Sequence, residues 1–126
     1  LEHAIRATLG KCEFDLNKVG IVFLAGTGVQ FLDQIEQTAV CKVFEGVAKP
    51  ALATTARVTG NLIGAGGLIE VGLINHLYNE GRVPHSLAIE TMGSDWPQSI
   101  DSDRPGVLIL RVSPWREYSC LLVSRA

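Results

Sequence analysis

Asp33 and Glu36 stand three residues apart in a stretch of helical pattern, a spacing that puts two side chains on one helix face. Paired carboxylates can do general acid–base work. Acids in the first turns of an amphipathic helix more commonly complement the macrodipole, and a structural or solvated role is expected for this pair. The AGTG run at 25–28 lies between an apolar segment and that helix, where glycines often cradle an anion. It lacks both the P-loop lysine and a full G-x-G-x-x-G, so phosphate binding is not expected. His76 falls on an apolar segment, and imidazole serves catalysis and metals alike; a hydrogen-bonded structural histidine is the expected reading. His3, His76 and His85 have no metal-ligand spacing, and no metal is expected. Cys12, Cys41 and Cys120 are odd in number, widely separated and free of any C-x-x-C pair. That argues against a disulfide framework or a zinc site and fits a reducing, cytoplasmic compartment. Trp96 and Trp115 are either packing residues or anchors of a contact surface.

The elements that must position these residues follow from periodicity. LEHAIRATLG places Leu1, Ile5 and Leu9 at helical spacing and stops at Gly10. VGIVFL at 19–24 is an apolar run suited to a strand buried on both faces, as in parallel sheets. From 31 to 44, Leu32, Ile35, Ala39, Val40 and Val43 recur while Asp33, Gln34, Glu36 and Gln37 fill the other face, which predicts an amphipathic helix. Pro50 interrupts the chain, and ALATTARV is β-branched enough for a second strand. The order is β-α-β, an α/β class. The polar stretch 92–105 reads as a loop, and VLILRV and CLLVS read as a hairpin joined by SPWREYS.

The segment 61–78, NLIGAGGLIEVGLINHLY, is of helix length yet carries a single charged residue, Glu70. A helix apolar on nearly every face must be covered on more than one side, and Leu68, Ile69 and Leu73 are the candidate buried or interface positions. The run falls short of the roughly 20 residues of a membrane span and ends in polar Asn75 and His76, so no membrane is expected. With 126 residues, 47% hydrophobic and 19% charged, one domain over 1–126 is predicted. A net charge of −2 with scattered basic residues provides no footprint for nucleic acid. Leu1 in place of Met points to a trimmed start and a longer native protein.

These segments resemble the condensing enzymes that make fatty acids and polyketides on acyl carrier protein. Where that family carries V-N-A-H-G-T-G-T-x-x-x-D-x-x-E and a helix ending in V-F-G, this chain has VFLAGTGVQFLDQIEQTAVCKVFEG. Gly26, Thr27, Gly28, Asp33, Glu36, Val43 and Phe44 match in register. The second signature, K-S-x-x-G-H-x-x-G-A-x-G-x-x-E, falls on 56–70, with Gly60, Gly64, Ala65, Gly67 and Glu70 matching; Gly81, Val83 and Pro84 supply the following G-x-[IV]-P. The resemblance implies a thiolase-like fold, specifically the C-terminal half of a layered αβαβα architecture with a buried central helix.

The departures fall on the family's chemistry. Its two histidines hydrogen-bond the thioester carbonyl oxygen and stabilise developing negative charge. Their positions here are Ala25 and Asn61, and the lysine of the second signature is Ala56. An amide can donate a hydrogen bond but cannot exchange a proton near neutral pH. The glycine-rich G-F-G-G-x-N loop is replaced by Ser113, Pro114, Trp115, Arg116, Glu117 and Tyr118, and proline both fixes φ and removes an N–H. The family's nucleophilic cysteine belongs to an N-terminal half that this chain does not contain. Loss of catalytic positions with retention of scaffold glycines resembles the chain-length factors of type II polyketide systems, with Gly28, Val29, Leu32, Asp33, Glu36, Thr59, Gly60 and Gly64 following their pattern. That implies no catalytic residues, no cofactor, a catalytic ketosynthase subunit or the missing N-terminal half as partner, and acyl carrier protein as substrate carrier. The alternatives are half of an active condensing enzyme completed by another chain, or a ketosynthase-derived interaction or ligand-binding module.

Overall fold

The computed structural model describes residues 1–60, 62, 65–115 and 117–125. Its organising strand is β1 (Val19–Phe23), whose residues are all buried because both sheet faces are covered. Side chains alternate across a strand. Ile21 and Phe23 therefore enter one core with Ile74, Leu77, Val107 and Ile109. Val22 and Leu24 enter the other with Ile5, Leu9, Val40, Phe44, Leu108 and Leu110. The uninterrupted apolar run is the signature of that double burial.

The other strands are β2 (Ala51–Ala53), β3 (Gly106–Val112) and β4 (Tyr118–Ser124), in the sheet order β2-β1-β3-β4. β1 is parallel to β2 and β3, with Phe23 opposite Ala53 and Ile109. β3 and β4 form the expected antiparallel hairpin, Leu110 facing Cys120. Helices α1 (Glu2–Lys11) and α2 (Gln30–Val43) cover one face, and α4 (Gly66–Glu80) lies on the other. Trp96 is a packing residue: it meets Phe44 edge-on at 6.2 Å, with the Lys49 ammonium 5.2 Å from its ring centroid.

Three expectations are corrected. The second strand stops at Ala53 rather than running through ALATTARV, because Thr54 and Thr55 turn the chain into a short helix α3 (Ala56–Thr59). The Ala56 N–H donates to Thr54 Oγ1 at 3.3 Å, the Thr59 N–H donates to the Thr55 carbonyl at 3.0 Å, and Gly60 ends the turn at φ 72°. The long apolar helix begins at Gly66, not at 61, and Asn61, Ile63 and Gly64 lie outside the described residues. Within this chain that helix is covered on one side by the sheet and is open on the other, which leaves room for the expected second layer from outside the chain. Glu70, Ile74, Leu77 and Tyr78 face the sheet, whereas Leu68 is 77% exposed and Val71 40%. Ile69 and Leu73 are half-buried. His76 lies exposed on α4 and is not the hydrogen-bonded structural histidine expected. Among the described residues no helix is long and apolar enough to cross a membrane.

Candidate functional site

The carboxyl ends of β1, β2 and β3 converge, which is where open parallel sheets place their ligands. Beyond β1, the 25–28 turn carries positive φ at Gly26 (56°) and Gly28 (76°), conformations in which a side chain is strained. Two acids of α2 reach back to hold the turn. Glu36 Oε1 accepts the Ala25 N–H at 2.6 Å, and Oε2 accepts the Gly26 N–H at 3.3 Å. Asp33 Oδ1 accepts both the N–H and the hydroxyl of Thr27 at 2.8 Å, and Oδ2 accepts the Gly28 N–H at 3.1 Å. The amides that could have cradled a phosphate are thus occupied by the chain's own carboxylates. Both acids are structural, as one of the two expected roles had it, but Glu36 is not solvated: it is 1% exposed. Burial pushes its carboxyl up to about 7, against the lowering effect of the Ala25 and Gly26 amides.

Gly26 is fixed by contact as well as by φ, since a Cβ there would lie 2.4 Å from Thr54 Oγ1. Left-handed backbone and overpacking each cost on the order of 1–3 kcal/mol. Gly26→Ala is therefore expected to lower stability by roughly 2–4 kcal/mol, read as a lower urea midpoint at unchanged slope.

The next layer is ionic. Glu70, fully buried on α4, accepts from Thr55 Oγ1 at 3.0 Å and from Arg111 Nη2 at 2.5 Å. Arg111 reaches across from β3 and anchors its other nitrogen on the Leu110 carbonyl at 2.8 Å. Burial raises the Glu70 carboxyl, opposed by the Arg111 charge and the Arg111 and Thr55 hydrogen bonds. Gly66 leaves the room that Arg111 needs: a Cβ there would sit 2.7 Å from Nη2.

Above this pair opens a cavity of about 350 Å³ lined by Ala25, Thr55, Leu62, Arg111, Trp115 and Tyr118, among others. The β3–β4 hairpin forms one wall, closed by the Ser113 N–H on the Glu117 carbonyl at 3.0 Å and the Glu117 N–H on Ser113 Oγ at 3.2 Å. Trp115 stands 77% exposed at its rim, while Arg116 lies outside the described residues. Ala25 therefore presents a methyl group to the cavity. Asn61 lies outside the described residues, and Leu68, Ile69 and Leu73 are not among the lining residues. Among the described residues, no histidine or cysteine lines the cavity, and no group of three or more His, Cys, Asp or Glu is placed to hold a metal ion. Cys12 and Cys41 are exposed elsewhere, and burial raises the thiol of half-buried Cys120. Arg111 and Thr55 were not singled out from the sequence. The available signal was one charge inside an otherwise apolar strand, VLILRV.

Residues 1–90 match the family described as beta-ketoacyl synthase, C-terminal domain, and the chain belongs to that family. The expected thiolase-like α/β fold stands with it. A solved structure described as the ishigamide ketosynthase/chain length factor superposes with a TM-score of 0.78 at 17% identity. The alignment covers 99% of this chain and 32% of that one, so the chain spans about a third of that structure's length, and the likeness is one of fold. No curated protein matches. The family match stops before β3, short of the divergent 113–118 hairpin loop.

Proposed function

We propose that this chain is a non-catalytic, chain-length-factor-like ketosynthase domain that completes and shapes an active beta-ketoacyl synthase in polyketide or fatty-acyl chain synthesis. The observation that carries this reading is the cavity at the strand ends, whose backbone supports are intact and whose described lining offers neither an imidazole nor a thiol. Condensation needs a nucleophile and donors aimed at the developing oxyanion. A methyl at Ala25 supplies neither. A catalytic ketosynthase chain, or an N-terminal half, would bring the nucleophile, and acyl carrier protein would deliver the substrates.

The partner reading is supported by the open side of α4. Leu68 at 77% and Val71 at 40% exposure form an apolar face that a second layer would cover. Obligate interfaces of this kind often exceed about 2,000 Å² in total. The defining test incubates the 126-residue chain with malonyl- and acyl-loaded carrier protein. No turnover above the uncatalysed background is expected, and histidines restored at Ala25 and Asn61 should not rescue it. Turnover by the chain alone overturns the proposal.

One observation favours a second reading, a ketosynthase-derived ligand-binding module. The cavity keeps about 350 Å³ with a largely apolar wall, a volume within the range that accepts a small ligand. Copurification with a ketosynthase supports the first reading; a small molecule retained by the chain without any protein partner supports the second.

A further inference from the structure

We propose that Glu36 is a protonation-controlled latch on the 25–28 turn: as a carboxylate it grips the Ala25 and Gly26 amides, and as a neutral acid it releases Gly26. The geometry supplies the reason. Glu36, at 1% exposure, is buried beneath the turn with the Ala25 and Gly26 amides as its hydrogen-bond partners among the described residues, and Arg111 is the cation whose charge reaches it. Arg111 bonds Glu70 directly and makes no hydrogen bond to Glu36. A buried carboxylate with no cation bonded to it is the place for a proton.

The remaining charges around Glu36 do not change that. Asp33, one turn earlier on α2, favours protonation, and Arg111 on β3 opposes it. Across a second cavity of about 320 Å³ stand Arg57 of α3 and Glu90, and Arg57 is already engaged with the Ala88 carbonyl at 2.8 Å. Burial outweighs these effects and sets Glu36 to titrate at about 7.

A proton placed on one carboxyl oxygen turns it from acceptor into donor. The oxygen facing Gly26 is the weaker partner, at 3.3 Å against 2.6 Å for Ala25, so that contact is the one given up. Thr27 and Gly28 stay fixed by Asp33. The loosened segment borders two spaces, since Ala25 lines the larger cavity and Gly26 and Gly28 line the second. Protonation thereby acts on a turn that borders both cavities, and the inference holds whether or not the chain works with a ketosynthase.

The test is residue-resolved amide exchange of the wild-type chain from about pH 5.5 to about pH 8.5, corrected for intrinsic exchange. Protection of the Gly26 amide should rise about tenfold or more as Glu36 ionises, with Thr27 and Gly28 unchanged, and Glu36→Gln should flatten the step. The second measurement is the carboxyl ¹³C shift of Glu36 in the wild type, which does not depend on the variant folding. A midpoint between about 6 and 8 supports the latch. A midpoint in the ordinary carboxylate range, a flat Gly26 profile, or a step shared equally by Thr27 and Gly28 overturns it.

Discussion

Arg111→Met is expected to destabilise the chain by roughly 3–5 kcal/mol, the typical consequence of stripping one partner from a buried ion pair. The large effect follows from Glu70, which is fully buried and would keep only Thr55 as a hydrogen-bond partner among the described residues. Glu70→Gln should cost less, because the amide oxygen can still accept a bond and no uncompensated anion remains. Combining Arg111→Met with Glu70→Leu should recover much of the loss, and a double-mutant cycle in urea measures the coupling. A loss below about 1 kcal/mol for Arg111→Met would show that the pair contributes little. The sign of the pH dependence is also fixed. Both buried acids are raised in the folded chain, Glu36 from 4.5 to about 7, so the folded state holds protons that the unfolded state has released between those values. The Glu36 contribution is complete below about pH 4.5 and falls as pH rises toward 7, and the Glu70 contribution has the same sign. Arg111→Met raises Glu70 further, so its deficit should be largest at neutral pH and shrink on acidification.

The second large effect is on assembly rather than folding. Leu68→Asp, alone or with Val71→Asp, alters side chains that are 77% and 40% exposed, and surface changes of this kind usually stay within about 0.5 kcal/mol. At the centre of an apolar interface the same carboxylate is buried without a partner at a cost of several kcal/mol. Association with a ketosynthase chain should weaken by about 100-fold or more while the thermal midpoint of the isolated chain barely moves. Leu77→Asp is the contrasting control: that side chain is 1% exposed in the core between α4 and the sheet, so the chain itself should unfold. Wild-type affinity in Leu68→Asp would remove this face from the partner interface.

Much of the fold was legible because its signals are local. The apolar run of β1, the amphipathic repeat of α2 and the two apolar arms of the hairpin each announce themselves within about a dozen residues. The start of α4 was misjudged because apolarity alone says nothing about where backbone hydrogen bonds begin, and threonines at 54 and 55 divert the chain into a turn that their β-branching disguised as strand. Ala25 was legible only through the family pattern. Arg111 was not, since its partner Glu70 lies 41 residues away and only the sheet brings the two together. The burial of Glu36 is not legible, because a helical acid's burial depends on what the preceding loop folds over.

The clasp between the 25–28 turn and α2 closes over short chain distances, with every bond spanning between 5 and 11 residues. Contacts of such low sequence separation lose little loop entropy and can form early, before distant strands pair. The glycines, Asp33 and Glu36 therefore serve the route to the native state, independently of any chemistry at the cavity. The G-T-G-x-x-x-x-D-x-x-E spacing is thus a folding element in its own right, a self-contained clasp that needs no distant strand to close.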